Sequence, residues 1–176
     1  MPTRAPRRQI DVTVFPMFRP QVKAAWIRRV AGAALAVADR AGKGSASIVI
    51  ADDDTLRDLN LRYRGGDYVT DVLSFGANGE VLDPDAPQVD TGPAFPDLPD
   101  EAPILGEVVL SYPLAVRQAS EHNVAVEREV ALLVVHGILH LLGHDHAELD
   151  EETAMKALES KALERVFSRA EGVARD

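Results

Sequence analysis

Apolar residues alternate with polar ones from Ile10 through Val12 to Val14, with Asp11 and Thr13 between them, the period-two pattern of a half-buried strand. From Pro20 the period lengthens. Val22, Trp26, Ile27, Val30, Ala34 and Val37 recur mostly every three or four residues, which predicts a long helix opened by the proline and ended by Gly42 and Gly44. Ser47 to Ala51 is a short β-branched run and predicts a second strand. Asp52, Asp53 and Asp54 offer an N-cap and first-turn acids for a helix to about Tyr63. Gly65-Gly66 breaks the chain before a third, short strand from Asp71 to Phe75. Residues 76–103 hold six of the eleven prolines and many acids with little periodicity, which predicts a long mobile loop. Ile104 to Tyr112 reads as a fourth strand, and Pro113 opens a short helix. Val124 to Leu142 is a strongly apolar helix stopped by Gly143. Glu148 to Arg169 is amphipathic, with Met155, Leu158, Ala162 and Val166 on one side.

Strands and helices are interspersed, and there is no internal repeat. The expectation is an α+β fold: a single domain over residues 1–176, with about four strands in a mixed sheet packed against helices. The apolar helix before the last should lie on that sheet. Strand order is not readable from the pattern.

Composition narrows the chemistry. The chain has no cysteine, so any metal must be held by histidine and carboxylate, and thiolate nucleophiles are excluded. No apolar run reaches the roughly 18 residues that a bilayer span needs, and the first residues lack the unbroken apolar stretch of a secretory signal. A cytoplasmic location without a membrane partner is expected. The net charge of −9 argues against a protein that coats nucleic acid non-specifically, because like charge repels phosphate.

Four of the five histidines fall within the eleven residues His136-Gly137-Ile138-Leu139-His140-Leu141-Leu142-Gly143-His144-Asp145-His146. His136 and His140, four apart, project from one helix face, where two imidazole nitrogens can reach one ion at about 2.0–2.1 Å. Gly143 can take the positive φ that turns the chain back and delivers His146 as third ligand. Three protein ligands leave a fourth position open, the pattern of a catalytic zinc site, although Ni²⁺ or Co²⁺ would also suit it. His144 either replaces His146 as ligand or points to solvent from the turn, the latter being preferred. Asp145 either orients a ligand imidazole or sits on the surface. His122, outside the cluster, is expected to be exposed and structural.

The spacing H-x3-H-x2-G-x2-H is that of the metzincin metalloproteases, which carry a glutamate general base directly after the first histidine. Here that residue is Gly137, which accepts no proton. The segment instead resembles the YbeY endoribonuclease family, whose signature H-G-x-L-H-L-x-G-aromatic-D-H it matches except at His144. Leu59-Asn60-Leu61-Arg62-Tyr63-Arg64 through Thr70-Asp71-Val72-Leu73-Ser74-Phe75 resembles the family's L-N-x-x-Y-R-x-x-D-x-P-T-D-V-L-S-F-P, and Leu105-Gly106-Glu107-Val108-Val109-Leu110-Ser111 its L-G-D-I-x-I-S strand. The likeness covers about residues 45–165, in matching order. Val69 and Gly76 stand where the family pattern has prolines, and residues 79–103 form a longer, more acidic connection than is usual.

The resemblance implies a zinc-dependent, single-strand-specific endoribonuclease acting in 16S rRNA 3′-end maturation and ribosome quality control. It further implies one Zn²⁺ on His136, His140 and His146, and Arg64 as the functional arginine. Single-stranded rRNA and the small ribosomal subunit or its proteins are the implied partners, with no role for DNA. Thr70, Asp71 and Ser74 are expected to be structural, holding the strand beside the site. The motif supplies no general base; water on the metal, the RNA 2′-OH and a distant residue all stay open. A metzincin-like protease and a non-catalytic ribosome assembly factor are the alternatives. Direct RNA binding by so acidic a chain requires Arg28, Arg29, Arg57, Arg62 and Arg64 to gather on one face. Their scatter would favour docking through a protein partner, or the protease.

Overall fold

The computed structural model describes residues 9–38, 44–83 and 103–171. The expected helix stop at Gly42 and most of the expected mobile loop, residues 84–102, lie outside them. The chain forms β1 (Gln9–Val14), a 3-10 turn (Pro16–Phe18), α1 (Ala24–Ala38), β2 (Ser45–Ala51), α2 (Asp53–Arg64), β3 (Val72–Gly76), β4 (Ile104–Ser111), α3 (Tyr112–His122), α4 (Val126–Leu141) and α5 (Leu149–Glu171). No helix among the described residues is long and apolar enough to cross a membrane.

The four strands make one mixed sheet in the order β1-β2-β4-β3. β1, β2 and β4 run parallel, and β3 pairs antiparallel with β4 at the edge. The α+β expectation is met. Alternation along the strands sends Ile48, Ile50, Val108 and Leu110 to one face, where they pack against α1, α4 and α5. Val109, Leu73 and Phe75 face the other way, with Leu56, Leu59 and Tyr63 of α2. The apolar α4 is thus buried between the sheet and its neighbours, which is why its hydrophobic residues surround it rather than form one stripe.

Two expectations are corrected. Pro20 does not open α1; it sits in a turn closed by the Gln21 and Val22 amides on the Phe18 carbonyl, and the helix begins at Ala24. Nor is residue 76 the start of a featureless loop. Residues 76–80 form a tight turn in which the Gly76 amide donates to the Glu80 carbonyl at 2.8 Å, and Val81 then bridges Phe75. A proline at 76, as in the family pattern, has no amide hydrogen for that bond. The Leu82 amide continues the return, donating to the Ser74 carbonyl at 2.8 Å, so the chain lies back along the free edge of β3.

Candidate metal centre

The helix spacing does what the sequence implied. His136 and His140 lie one turn apart on α4, and their Nε2 atoms approach to 3.1 Å. After α4 the chain reverses at Gly143, whose φ of +88° lies in the left-handed region. His146 follows, and one nitrogen from each of the three rings lies within 4.8 Å of the others. Replacing Gly143 by alanine meets no neighbouring atom but forces that φ on a Cβ. Urea denaturation of Gly143→Ala should show a loss of about 1–2 kcal/mol.

An ion bound at about 2.0–2.1 Å in tetrahedral geometry holds its ligand atoms about 3.3 Å apart. The 3.1 Å pair is close to that distance, and the donor set suits Zn²⁺. His136 Nδ1 donates to Glu159 Oε1 at 2.6 Å, which turns its Nε2 lone pair towards His140. Only a proton or a cation between two such nitrogens makes that approach favourable. His140 also belongs to the last turn of α4, where the helix dipole favours positive charge.

Burial, and after it the charges of His136 and His146, push the His140 pKa down from 6.5 to about 4. At neutral pH the ring is therefore uncharged, as a metal ligand must be. Between pH about 6.5 and about 4 the unfolded chain binds a proton at His140 that the folded one does not, so stability rises with pH across that window. The metal-free protein should lose melting temperature on acidification from pH 7 to 4.5, by a smaller amount in His140→Gln. Equal slopes would show that His140 is not the source.

The histidines open on a cavity of about 150 Å³ that Arg64, Thr70, Asp71, Ser74 and Asp83 also line. It lies at the edge of the sheet, where the C-terminus of α2, strand β3 and the returning residues 81–83 meet α4. Ser74 Oγ donates to the Gly137 carbonyl at 3.1 Å, tying β3 to α4. Asp71 accepts from the Val72 amide at 2.8 Å and from Gln118 at 3.3 Å, a bracing role. Arg64 reaches the cavity, but its Nη2 pairs with Asp83 at 2.5 Å, both side chains being mostly covered.

The other histidines divide as follows. His144 does not join the cluster; it is half-buried rather than solvated, lining a neighbouring cavity of about 300 Å³ with Glu80, Val81, Leu82 and Asp83. His122 is exposed and bonds Glu129 at 3.1 Å, as expected of a structural residue. Asp145 accepts from the His146 amide at 2.6 Å and stands 3.8 Å from that ring, so it shapes the turn rather than orienting the imidazole by a hydrogen bond. Glu159, by contrast, lies within hydrogen-bond distance of His136 Nδ1, and nothing in the histidine motif announced it. The available signal was a carboxylate four residues after Met155, on the buried side of α5.

The arginines do not gather. Arg28 and Arg29 belong to α1 on one face of the sheet, while Arg57, Arg62 and Arg64 belong to α2 on the other. Arg57 pairs with exposed Asp67 at 2.8 Å. Of the five, Arg64 alone lines the histidine cavity.

Gly137 has a role that its sequence neighbours did not suggest. A Cβ built there stands 2.5 Å and 3.0 Å from the two methyl carbons of Val108 and 3.3 Å from Ser74 Oγ. The position after His136 therefore packs against Val108 of β4 and beside Ser74, and α4 approaches the sheet so closely that a Cβ there needs its neighbours to shift.

The chain matches the family model described as Endoribonuclease YbeY over residues 14–167. A protein named Endoribonuclease YbeY from Dehalococcoides mccartyi is 37% identical over 158 residues, 90% of each chain. A Roseiflexus relative of the same name is 37% identical over 169 residues, 96% of each, and one from Moorella thermoacetica 40% over 149 residues, 85% of this chain and 86% of the other. The solution structure of a Thermotoga maritima protein, 23% identical, superposes with a TM-score of 0.57 over 93% of each chain, a likeness of fold.

Proposed function

Because the chain belongs to the Endoribonuclease YbeY family, we propose that it is a metal-dependent endoribonuclease that cuts single-stranded rRNA. Its place of action is 16S rRNA 3′-end maturation and ribosome quality control in the cytoplasm. His136, His140 and His146 hold one Zn²⁺, and Arg64 meets the substrate phosphate. The observation that carries this reading is the convergence of three imidazoles on a cavity that also contains a guanidinium. A divalent ion held there supplies Lewis acidity to a phosphoryl oxygen and to water. The chain's own residues supply position: α4 and the Gly143 turn set the ligands, and Arg64 offers a planar fork suited to phosphate.

Arg64 is engaged by Asp83, so an RNA phosphate has to share or displace that carboxylate. Among the described residues, Arg28 and Arg29 on one face of the sheet and Arg57 and Arg62 on the other do not build one basic face beside the histidines. That favours delivery through a protein of the small subunit. The protease reading loses ground at Gly137, where the metzincin base would have to occupy space already filled by Val108.

The test is cleavage of single-stranded and duplex RNA by metal-stripped and Zn²⁺-restored protein. Cleavage restricted to the single strand and restored by Zn²⁺ is expected; no restoration, or cleavage of casein instead, overturns the reading. Arg64→Ala should lower kcat/KM on single-stranded RNA about 10- to 100-fold, the worth of a charged hydrogen bond. Zn²⁺ affinity should not change. Arg64→Lys should recover only part, because it keeps the charge and loses the fork.

A further inference from the structure

The buried side of α5 carries Met155, Ala162, Leu163 and Val166, and Glu159 lies among them, four residues after Met155 and three before Ala162. Its side chain is only 13% exposed. A carboxylate in such a stripe is costly unless something on the facing element pairs with it. Lys156, on the same helix, is bonded to Glu152 at 2.5 Å. What Glu159 meets across the interface is His136 Nδ1, at 2.6 Å.

We propose that Glu159 is a positioning residue for the metal centre, holding His136 in the tautomer and orientation that present Nε2 to the ion. The inference rests on the metal-centre reading above. An ionised carboxylate only accepts hydrogen bonds, so the proton of His136 sits on Nδ1 and the lone pair on Nε2. That Nε2 is the atom 3.1 Å from His140 Nε2. The carboxylate also makes the imidazole a stronger donor to a cation by polarising its N–H bond. Because Glu159 belongs to α5 and His136 to α4, packing of the last helix is coupled to metal affinity.

A purely structural role, in which the pair only docks α5 on α4, predicts something different. An apolar residue of similar volume then serves as well, and the ion is held equally tightly. Glu159→Gln keeps a hydrogen-bond acceptor without the charge, and Glu159→Met fills the site without either. Zn²⁺ affinity is measured by competition with a chromophoric chelator on the full chain, beside thermal melts of the metal-free proteins. The expected result is weakening of about 10-fold for Glu159→Gln and nearer 100-fold for Glu159→Met, with metal-free melting temperatures at or above wild type. In ¹⁵N spectra of the Zn²⁺-loaded protein, the His136 Nδ1–H signal should be present in wild type and shifted or lost in Glu159→Met. Wild-type protein that binds Zn²⁺ with variants within twofold of it would overturn the positioning role alone. Failure of the wild-type chain to bind Zn²⁺ at all overturns the metal centre, and this role with it. Should Glu159→Met fail to fold, the isosteric Glu159→Gln still decides by affinity.

Discussion

His140→Ala is expected to bind Zn²⁺ more than about 100-fold more weakly than wild type, since loss of a group that only orients a ligand already costs 10- to 100-fold. Single-stranded RNA cleavage should fall to background with it. The loss should not come from unfolding. His140 is half-buried, and burial together with the neighbouring imidazole charges already resists its protonation, with the pKa at about 4. Removing the ring from the metal-free protein should leave its melting temperature near wild type at pH 7, and above wild type below pH 6. Metal content by elemental analysis, chelator competition and a gel assay of cleavage check the three parts. Undiminished cleavage in metal-free His140→Ala would sink the metal-dependent mechanism while leaving the family assignment intact.

Gly137→Ala is the second large effect, and its cause is steric. Alanine gains about 1 kcal/mol of helix propensity over glycine. Against this, the new Cβ must find room 2.5 Å from one Val108 methyl and 3.0 Å from the other. Overpacking of that kind costs about 1–3 kcal/mol, and separation of α4 from β4 also disturbs the Ser74 bond to the Gly137 carbonyl. A net drop in melting temperature of about 2–8 °C follows for a chain of this size. Val108→Ala removes both clashing methyls, so the double variant should be more stable than the sum of the two single losses. Gly137→Glu, which would restore the metzincin base, should not fold. A Gly137→Ala variant that melts at or above wild type would show that the approach of α4 to the sheet is not tight. A folded Gly137→Glu with peptidase activity would revive the protease.

Gly137 shows how a residue can be read correctly for one reason and mean another. In the sequence it was the absence of a base. In the fold it also lets the apolar α4 approach β4 closely, since a Cβ there meets both Val108 methyl groups. His144 shows the reverse. Its place in the turn suggested solvent, yet residues 80–83 fold back and half-cover it. That return depends on a hydrogen bond from the Gly76 amide, and no periodicity announces such a turn in a stretch crowded with glycine and proline downstream.

What the chain determined by itself is local. Periods of two and of three to four placed the strands and helices within a few residues, because backbone geometry alone decides which side chains share a face. The four-residue spacing put His136 and His140 together for the same reason, and Gly143 turned the chain back because it alone there accepts a positive φ without strain. Tertiary structure decided everything that joins residues distant in sequence. The strand order β1-β2-β4-β3 puts β3 at the edge, so α2 can bring Arg64 to the histidines and residues 81–83 can bring Asp83 to Arg64. Packing of α5 on α4 brings Glu159 to His136 across 23 residues. The scatter of the arginines follows from α1 and α2 lying on opposite faces of the sheet. None of these pairings has a local signature, because each depends on burial of one face against another rather than on the conformation of either segment.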